Sequence, residues 1–152
     1  HRVDRRQRQM CIRDRIHNGQ EACNAKRLEF FEKDPIDWSQ GEDCAYGDLL
    51  ADLIAFRDAN PALHNGQWGA RMSQVVNDRP QQLFGWVRQQ GGNKVVGLFN
   101  LSNQPVEATL ADGLAAGDYR EFGTGDAVSV AAGDTISLPA WGFRLMASGS
   151  KP

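Results

Sequence analysis

The run Lys94–Leu101, KVVGLFNL, leaves few folds open to this chain. Both alternating sets of side chains are largely apolar: Val95, Phe99 and Leu101 on one side, Val96 and Leu98 on the other. A strand apolar on both faces belongs in the middle of a sheet, covered above and below. Gly91-Gly92-Asn93, just before it, is a tight hairpin turn, so Gln82–Arg88 is its antiparallel neighbour. The same period of two continues around this pair. Met72–Asn77, Tyr119–Phe122, Ala127–Val130, Thr135–Leu138 and Phe143–Met146 read as strands, and Val106, Ala108 and Leu110 alternate with Glu107 and Thr109. Gly-Asp and Pro-Ala-Trp-Gly turns separate them. Short strands at this spacing predict an antiparallel β-sandwich or barrel over residues 71–148, with 149–152 as a tail.

Ahead of these strands the period is helical. Leu49, Leu50, Leu53, Ile54 and Phe56 recur at spacings of one, three and four, which predicts a helix over Gly47–Asn60 with one apolar face. Asn60-Pro61 ends it, because proline has no amide proton to continue the ladder. An apolar face of this kind is expected in a core. The preceding stretch, His17–Ser39, reads HNGQEACNAKRLEFFEKDPIDWS. It combines an Asn18-Gly19 turn, a Gln20-Glu21 pair, an apolar knot at Leu28, Phe30 and Phe31, and a proline at position 35. It reads as an irregular loop whose Phe and Trp side chains plug a neighbouring core. The fold class is therefore mainly β with a helical lead-in.

Composition excludes several functions. The chain has 152 residues, 41% apolar and 24% charged, with a net charge of −2. That balance gives no reason to expect nucleic acid or an anionic membrane as partner. No apolar run approaches the roughly 20 residues of a membrane-spanning helix. The opening, His1–Arg15, holds six arginines and almost nothing apolar, and lacks the apolar core of a secretory leader. Its RQRQMCIRDR resembles translated sequencing-adapter DNA, so residues 1–15 are expected to be a disordered basic segment and carry no function here. Cys11, Cys23 and Cys44 do not define a disulfide framework and fit no zinc spacing. Cys23 and Cys44 pair if the loop folds back; otherwise they are free thiols, and the compartment stays open.

Few residues offer chemistry. Glu21 with Asp34 or Asp37 is a conceivable carboxylate pair, but acids on a loop are usually solvated. Trp38 and Trp141 are sized to stack on sugar rings, yet large apolar rings gain most from burial, so packing is the expected duty of each. His64 stands alone after the helix, and His17 has no partner of ligand type at metal spacing. There is no phosphate loop, no Ser-His-Asp arrangement and no metal motif, so no cofactor and no metal are expected.

Three segments, in order, carry a resemblance. NGQE followed by KRLEFFEKDPIDW resembles the end of the catalytic barrel in the α-amylase family of glycoside hydrolases (family thirteen). LIAFRDANPAL, Leu53–Leu63, looks like the last barrel helix and its exit. VVGLFNLSNQPVEATL and ISLPAWGFRL look like strands of the β-sandwich that follows the barrel. The likeness runs from about Ile16 to Met146. Arg15, Ile16 and His17 stand where the family has an apolar strand ending in Tyr.

The resemblance implies a Greek-key type sandwich, the α-amylase C-terminal domain, after the last loop and helix of a truncated (β/α)8 barrel in residues 16–70. A complete barrel needs about 250 residues, so most of one is missing. Retaining cleavage of a glycosidic bond uses two carboxyl groups about 5 Å apart. In the family these lie upstream of the eighth strand, so no position here inherits them and the fragment alone is expected to be inactive. His17, Asn18, Gln20 and Glu21 would support the substrate site, because barrel sites form at the C-terminal ends of the strands. The partners implied are an α-glucan or maltooligosaccharide in the intact parent, and the missing barrel as packing surface. The competing class is a non-enzymatic β-sandwich, a carbohydrate- or protein-binding module.

Overall fold

A computed structural model describes residues 16, 18–29 and 31–149. The basic segment 1–15, His17, Phe30 and the last three residues lie outside the described residues. The chain divides into two compact units, His1–Leu53 and Ile54–Pro152.

The second unit is the antiparallel sandwich. A six-stranded sheet has the order β1-β2-β3-β8-β5-β6. Its members are β1 (Met72–Val75), β2 (Leu83–Gln90), β3 (Asn93–Asn100), β5 (Gly117–Glu121), β6 (Ala127–Val130) and β8 (Phe143–Ser148). A two-stranded sheet pairs β4 (Val106–Thr109) with β7 (Thr135–Leu138). The chain crosses from β3 to β4 and back to β5, then from β6 to β7 and back to β8, which lies between β3 and β5.

The alternation of side chains places the core between the sheets. Leu83 and Val87 of β2, Val96 and Leu98 of β3, and Met146 of β8 face Val106, Ala108, Ile136 and Leu138 of the small sheet, all of them buried. Each of the larger ones, all but Ala108, contributes about 1.5–3 kcal/mol by leaving water. β4 and β7 turn Glu107 and Ser137 outward, the pattern of a sheet with one wet face. β3 is buried on both faces, as its sequence predicts: Val95 points away from this core into a second cluster with Ala62 and Ala147, against which Phe56, Leu63, Ala70 and Trp86 pack. The end of the helical lead-in thus covers part of the outer face of the large sheet.

The hairpin between β2 and β3 is tighter than the sequence suggests. Gln90 pairs with Asn93, so only Gly91-Gly92 turn. Gly91 has φ 58°, the first position of a two-residue hairpin loop that glycine fills without steric cost. Asn93 thereby becomes a strand residue, and its side chain is free for other work.

The helix α1 spans Ala45–Ala59. Asn60 leaves it in extended conformation, as a residue before proline must. The expected core face is a correction: no residue of α1 is buried, and Ile54 is 46% exposed. Its Phe56 is the exception in kind, meeting the Phe122 ring edge-on at 5.2 Å. An apolar stripe at helical spacing records what the helix is built to touch, and periodicity alone does not say whether that surface is in the chain. Among the described residues no helix is long and apolar enough to cross a membrane.

The first unit is built from short 3₁₀ turns, Gln20–Ala22 and Trp38–Asp43. Cys23 and Cys44 form a disulfide, with Cα atoms 5.7 Å apart. Sequence left this pairing open, because spacing says nothing about whether a loop returns on itself.

Candidate functional site

Asn18-Gly19 is a turn, and Gly19 is its hub. The Gly19 carbonyl accepts hydrogen bonds from Ala22 N at 3.2 Å and Asn24 N at 3.0 Å. Its own amide donates to Glu21 Oε2 at 2.9 Å. Gly19 has φ 96°, and a Cβ there would stand 3.2 Å from Ile36 Cδ1, so both conformation and space call for glycine. Asn18 and Gln20 are exposed, Glu21 is half-buried, and Ala22 is buried beneath them. Three of the four residues expected to support a site, Asn18, Gln20 and Glu21, therefore sit on one four-residue knot. His17 lies outside the described residues.

The acids of this loop hold backbone. Glu21 accepts from Gly19. Asp34 pairs with the Lys26 ammonium and accepts from Glu29 N at 3.1 Å. The Lys26 bond, then the Glu29 amide, hold its carboxyl below the ordinary carboxylate range. Asp37 caps the Trp38–Asp43 turn, accepting from the Ser39 hydroxyl at 2.6 Å and the Ser39 amide at 3.0 Å, and these bonds lower its carboxyl likewise. The conceivable pair of Glu21 with Asp34 or Asp37 finds each carboxylate engaged with its own partners. Among the described residues no group of His, Cys, Asp and Glu gathers at metal-binding distance.

Two expectations about aromatic residues are corrected. Phe31 and Trp38, read as plugs for a core, are 91% and 53% exposed. Trp141, read as packing, is 67% exposed. Trp141 sits on the outside of a tight turn, where a side chain points away from the chain that makes the turn.

Sequence reasoning missed the polar groups that hold the sandwich together. Asn93, 5% exposed, accepts from Ala62 N at 3.0 Å and donates to Asn60 Oδ1 at 2.8 Å and Ser148 O at 3.0 Å. Asn100, 1% exposed, donates to Gln104 O and Pro139 O, each at 2.7 Å, and accepts from the Ser102 amide and hydroxyl. Arg88 ties the segment after α1 to β2 through the carbonyls of Ala70, at 2.7 Å, and His64, at 2.8 Å. A signal was present: asparagine disfavours strands, yet it stands at both ends of a largely apolar strand. One shallow cleft of about 390 Å³ lies in the same unit, between Phe56 and Asn60 on one side and Arg120, Phe122 and Thr124 on the other. Arg120 donates to the Gly125 carbonyl at 3.1 Å, and Glu121 is paired with Arg144 at 2.6 Å.

Comparison with known proteins places this geometry. Residues 73–145 match the family described as maltogenic amylase, C-terminal domain. The sequence matches none of the curated proteins it was compared with. The fold is similar to that of a noncanonic maltogenic α-amylase, AmyB, from Thermotoga neapolitana. That match has 18% identity and a TM-score of 0.70, over 88% of this chain and 32% of that one. It is also similar to AmyP, solved with maltose, at 17% identity and TM-score 0.56, over 76% of this chain and 23% of that one. A trehalulose synthase, MutB, matches at 18% identity and TM-score 0.52, over 74% and 20%. The chain thus spans a third or less of the length of each of these proteins.

Proposed function

We propose that this chain, the C-terminal part of an α-amylase-family protein, serves an enzyme that cleaves or transfers α-glucosidic bonds by a retaining mechanism. The observation that carries the proposal is the C-terminal domain match over 73–145 on a sandwich of the same fold. Residues 16–70 are the last loop and helix of the catalytic barrel, and 71–148 the domain that follows it. The reacting carboxylates belong to preceding βα units. Asn18, Gln20 and Glu21, with His17, support the site from the last barrel loop. The Glu21–Gly19 hydrogen bond supports that role, since it ties the side chain to the backbone of its own loop. AmyP is described with maltose and with maltotriose, and an α-glucan of that class is the substrate proposed for the parent.

The outer face of the large sheet fits the same reading. Trp86, Phe99 and Phe143 stack along it, with centroids 6.5 and 6.1 Å apart and planes within 21° and 20°. Phe143 is 42% exposed. Rings stacked on one another present ridges, which suit a packed helix of the missing barrel. The test is the upstream reading frame in the source DNA. Asp and Glu at the ends of further βα units are expected; a stop codon or an unrelated domain would favour the free-standing binding module.

A further inference from the structure

The tetrapeptide His-Asn-Gly-Gln occurs twice, as His17–Gln20 and as His64–Gln67. Asparagine is among the thermolabile residues, and before glycine it carries a reaction of its own. The glycine amide nitrogen gives its proton to base and bonds to the carbonyl carbon of the asparagine side chain. The bond from that carbon to the side-chain nitrogen breaks, and the nitrogen leaves as ammonia with a proton from water. Water then opens the five-membered imide at either carbonyl, giving aspartate or isoaspartate. The sum is one water consumed and one ammonia released, with no oxidation. Glycine favours the closure because it has no Cβ in the way and its backbone turns freely. With the same neighbours at both places, local sequence makes the two asparagines alike, and only the fold can separate them.

The fold does so. The Gly19 amide donates to Glu21 Oε2 at 2.9 Å. A carboxylate so placed holds the proton that must leave and repels the anion that would remain. The space is closed as well. A Cβ at Gly19 would stand 3.2 Å from Ile36 Cδ1 and 3.3 Å from Asn24 Cβ, and the Gly19 carbonyl is fixed by the amides of Ala22 and Asn24. At Gly66 each of these conditions is reversed. Asn65 and Gly66 are exposed, and nothing lies within 4 Å of where a Gly66 Cβ would be. Among the described residues neither the Gly66 amide nor the Asn65 side chain makes a hydrogen bond. The turn is closed by Trp68 N donating to Asn65 O at 3.3 Å, a long bond that opens readily. We propose that Asn65 is a site of spontaneous deamidation and isomerisation, and that Glu21 guards the identical sequence at Asn18 against it. Conversion puts a carboxylate, and as isoaspartate an extra main-chain methylene, next to His64, whose carbonyl Arg88 ties to β2. This holds whether or not the chain serves an enzyme.

Incubation of the purified chain in heavy-oxygen water at mildly alkaline pH, followed by peptide mapping, tests the proposal. Each conversion takes up one labelled oxygen, and the aspartate and isoaspartate peptides separate by chromatography. In the folded chain Asn65 should convert at least about tenfold faster than Asn18, the scale of one hydrogen bond to a charged group that must open. In denaturant with the disulfide reduced, the two should convert at similar rates. Glu21→Ala should speed Asn18 several-fold and leave Asn65 as it is. Glu21→Gln, which keeps an acceptor without the charge, carries the same test should the alanine variant not fold. Equal rates in the folded chain, or a faster Asn18, would overturn the site. An unchanged Asn18 rate in both Glu21 variants would overturn the guard. So would a rise that comes only with lost hydrogen-exchange protection at Ala22 and Asn24, because the turn and not the carboxylate would then be the protection.

Discussion

Asn93 Nδ2 lies 2.8 Å from Asn60 Oδ1, a contact between side chains 33 residues apart that are both buried. Asn60 in turn donates to the Phe56 carbonyl at 2.6 Å, capping the end of α1. Asn93 also receives the Ala62 amide. One amide side chain therefore fixes the helix end, the turn after it and the last residue of β8 against the same strand. Asn93→Leu is close in size but leaves these groups unpaired in a buried place. It should cost about 2–4 kcal/mol, the penalty of one or two orphaned polar groups. Chemical denaturation measures it. A loss within about 0.5 kcal/mol, the range of ordinary surface substitutions, would mean that the network is not stabilising.

The Cys23–Cys44 disulfide closes a loop with a sequence separation of 21. A loop of about 15 residues or slightly more corresponds to about 3 kcal/mol in the chain-entropy account. Reduction, or Cys23→Ser with Cys44→Ser, should speed hydrogen exchange of the amides that close the Gly19 knot, Ala22 and Asn24. Amides of β3 should keep their protection, because their bonds lie within the sandwich. Unchanged exchange at Ala22 and Asn24 after reduction would show the bond to be dispensable for the loop.

Tyr119 is 4% exposed and donates to Ala115 O at 2.8 Å. Burial, then the charge of Asp118, push its phenol up to about 12 from the usual 10.0. The folded state therefore keeps a proton that the unfolded chain gives up. The contribution is fully present below pH 10 and is lost as pH rises through about 12. Lys94, whose ammonium lies 5.9 Å from the ring, is pulled down by burial and acts in the opposite sense near the same pH. Comparison with Tyr119→Phe separates the two. The parent should lose stability relative to that variant between pH 10 and 12. Parallel pH profiles would show that the phenol ionises as freely in the fold as outside it.

The purified chain should not hydrolyse maltooligosaccharides or nitrophenyl α-glucosides, since the reacting carboxylates are proposed to belong to preceding βα units and Glu21 and Asp34 are bonded to loop backbone or to Lys26. Turnover abolished by Glu21→Gln would overturn this and make Glu21 a reacting group.

The strands were legible because burial imposes a local period. Val106 and Ala108 alternate with Glu107 for the same reason that they face a core, and Val95, Val96 and Leu98 are apolar on both sides of β3 because both sides are covered there. The ends of strands were less legible. β8 runs to Ser148, two residues past the expected Phe143–Met146, because Val95 and Lys94 offer Ala147 and Ser148 partners across the sheet. A hydrogen-bonded ladder continues wherever a neighbour exists, whatever the side chains are.

By itself the sequence determined the β-sandwich, the helix ahead of it and the Asn18–Glu21 turn, all of which follow from periods and turn residues a few positions apart. Only the tertiary structure decided the disulfide, the Asn93 and Asn100 networks, and the outward Trp141. Each of these depends on partners more than 20 positions away or on which side of a turn is empty. A local pattern carries the chain's preference for leaving water, and that preference is the same for every apolar ring. Which ring finds a neighbour is fixed by where the rest of the chain arrives.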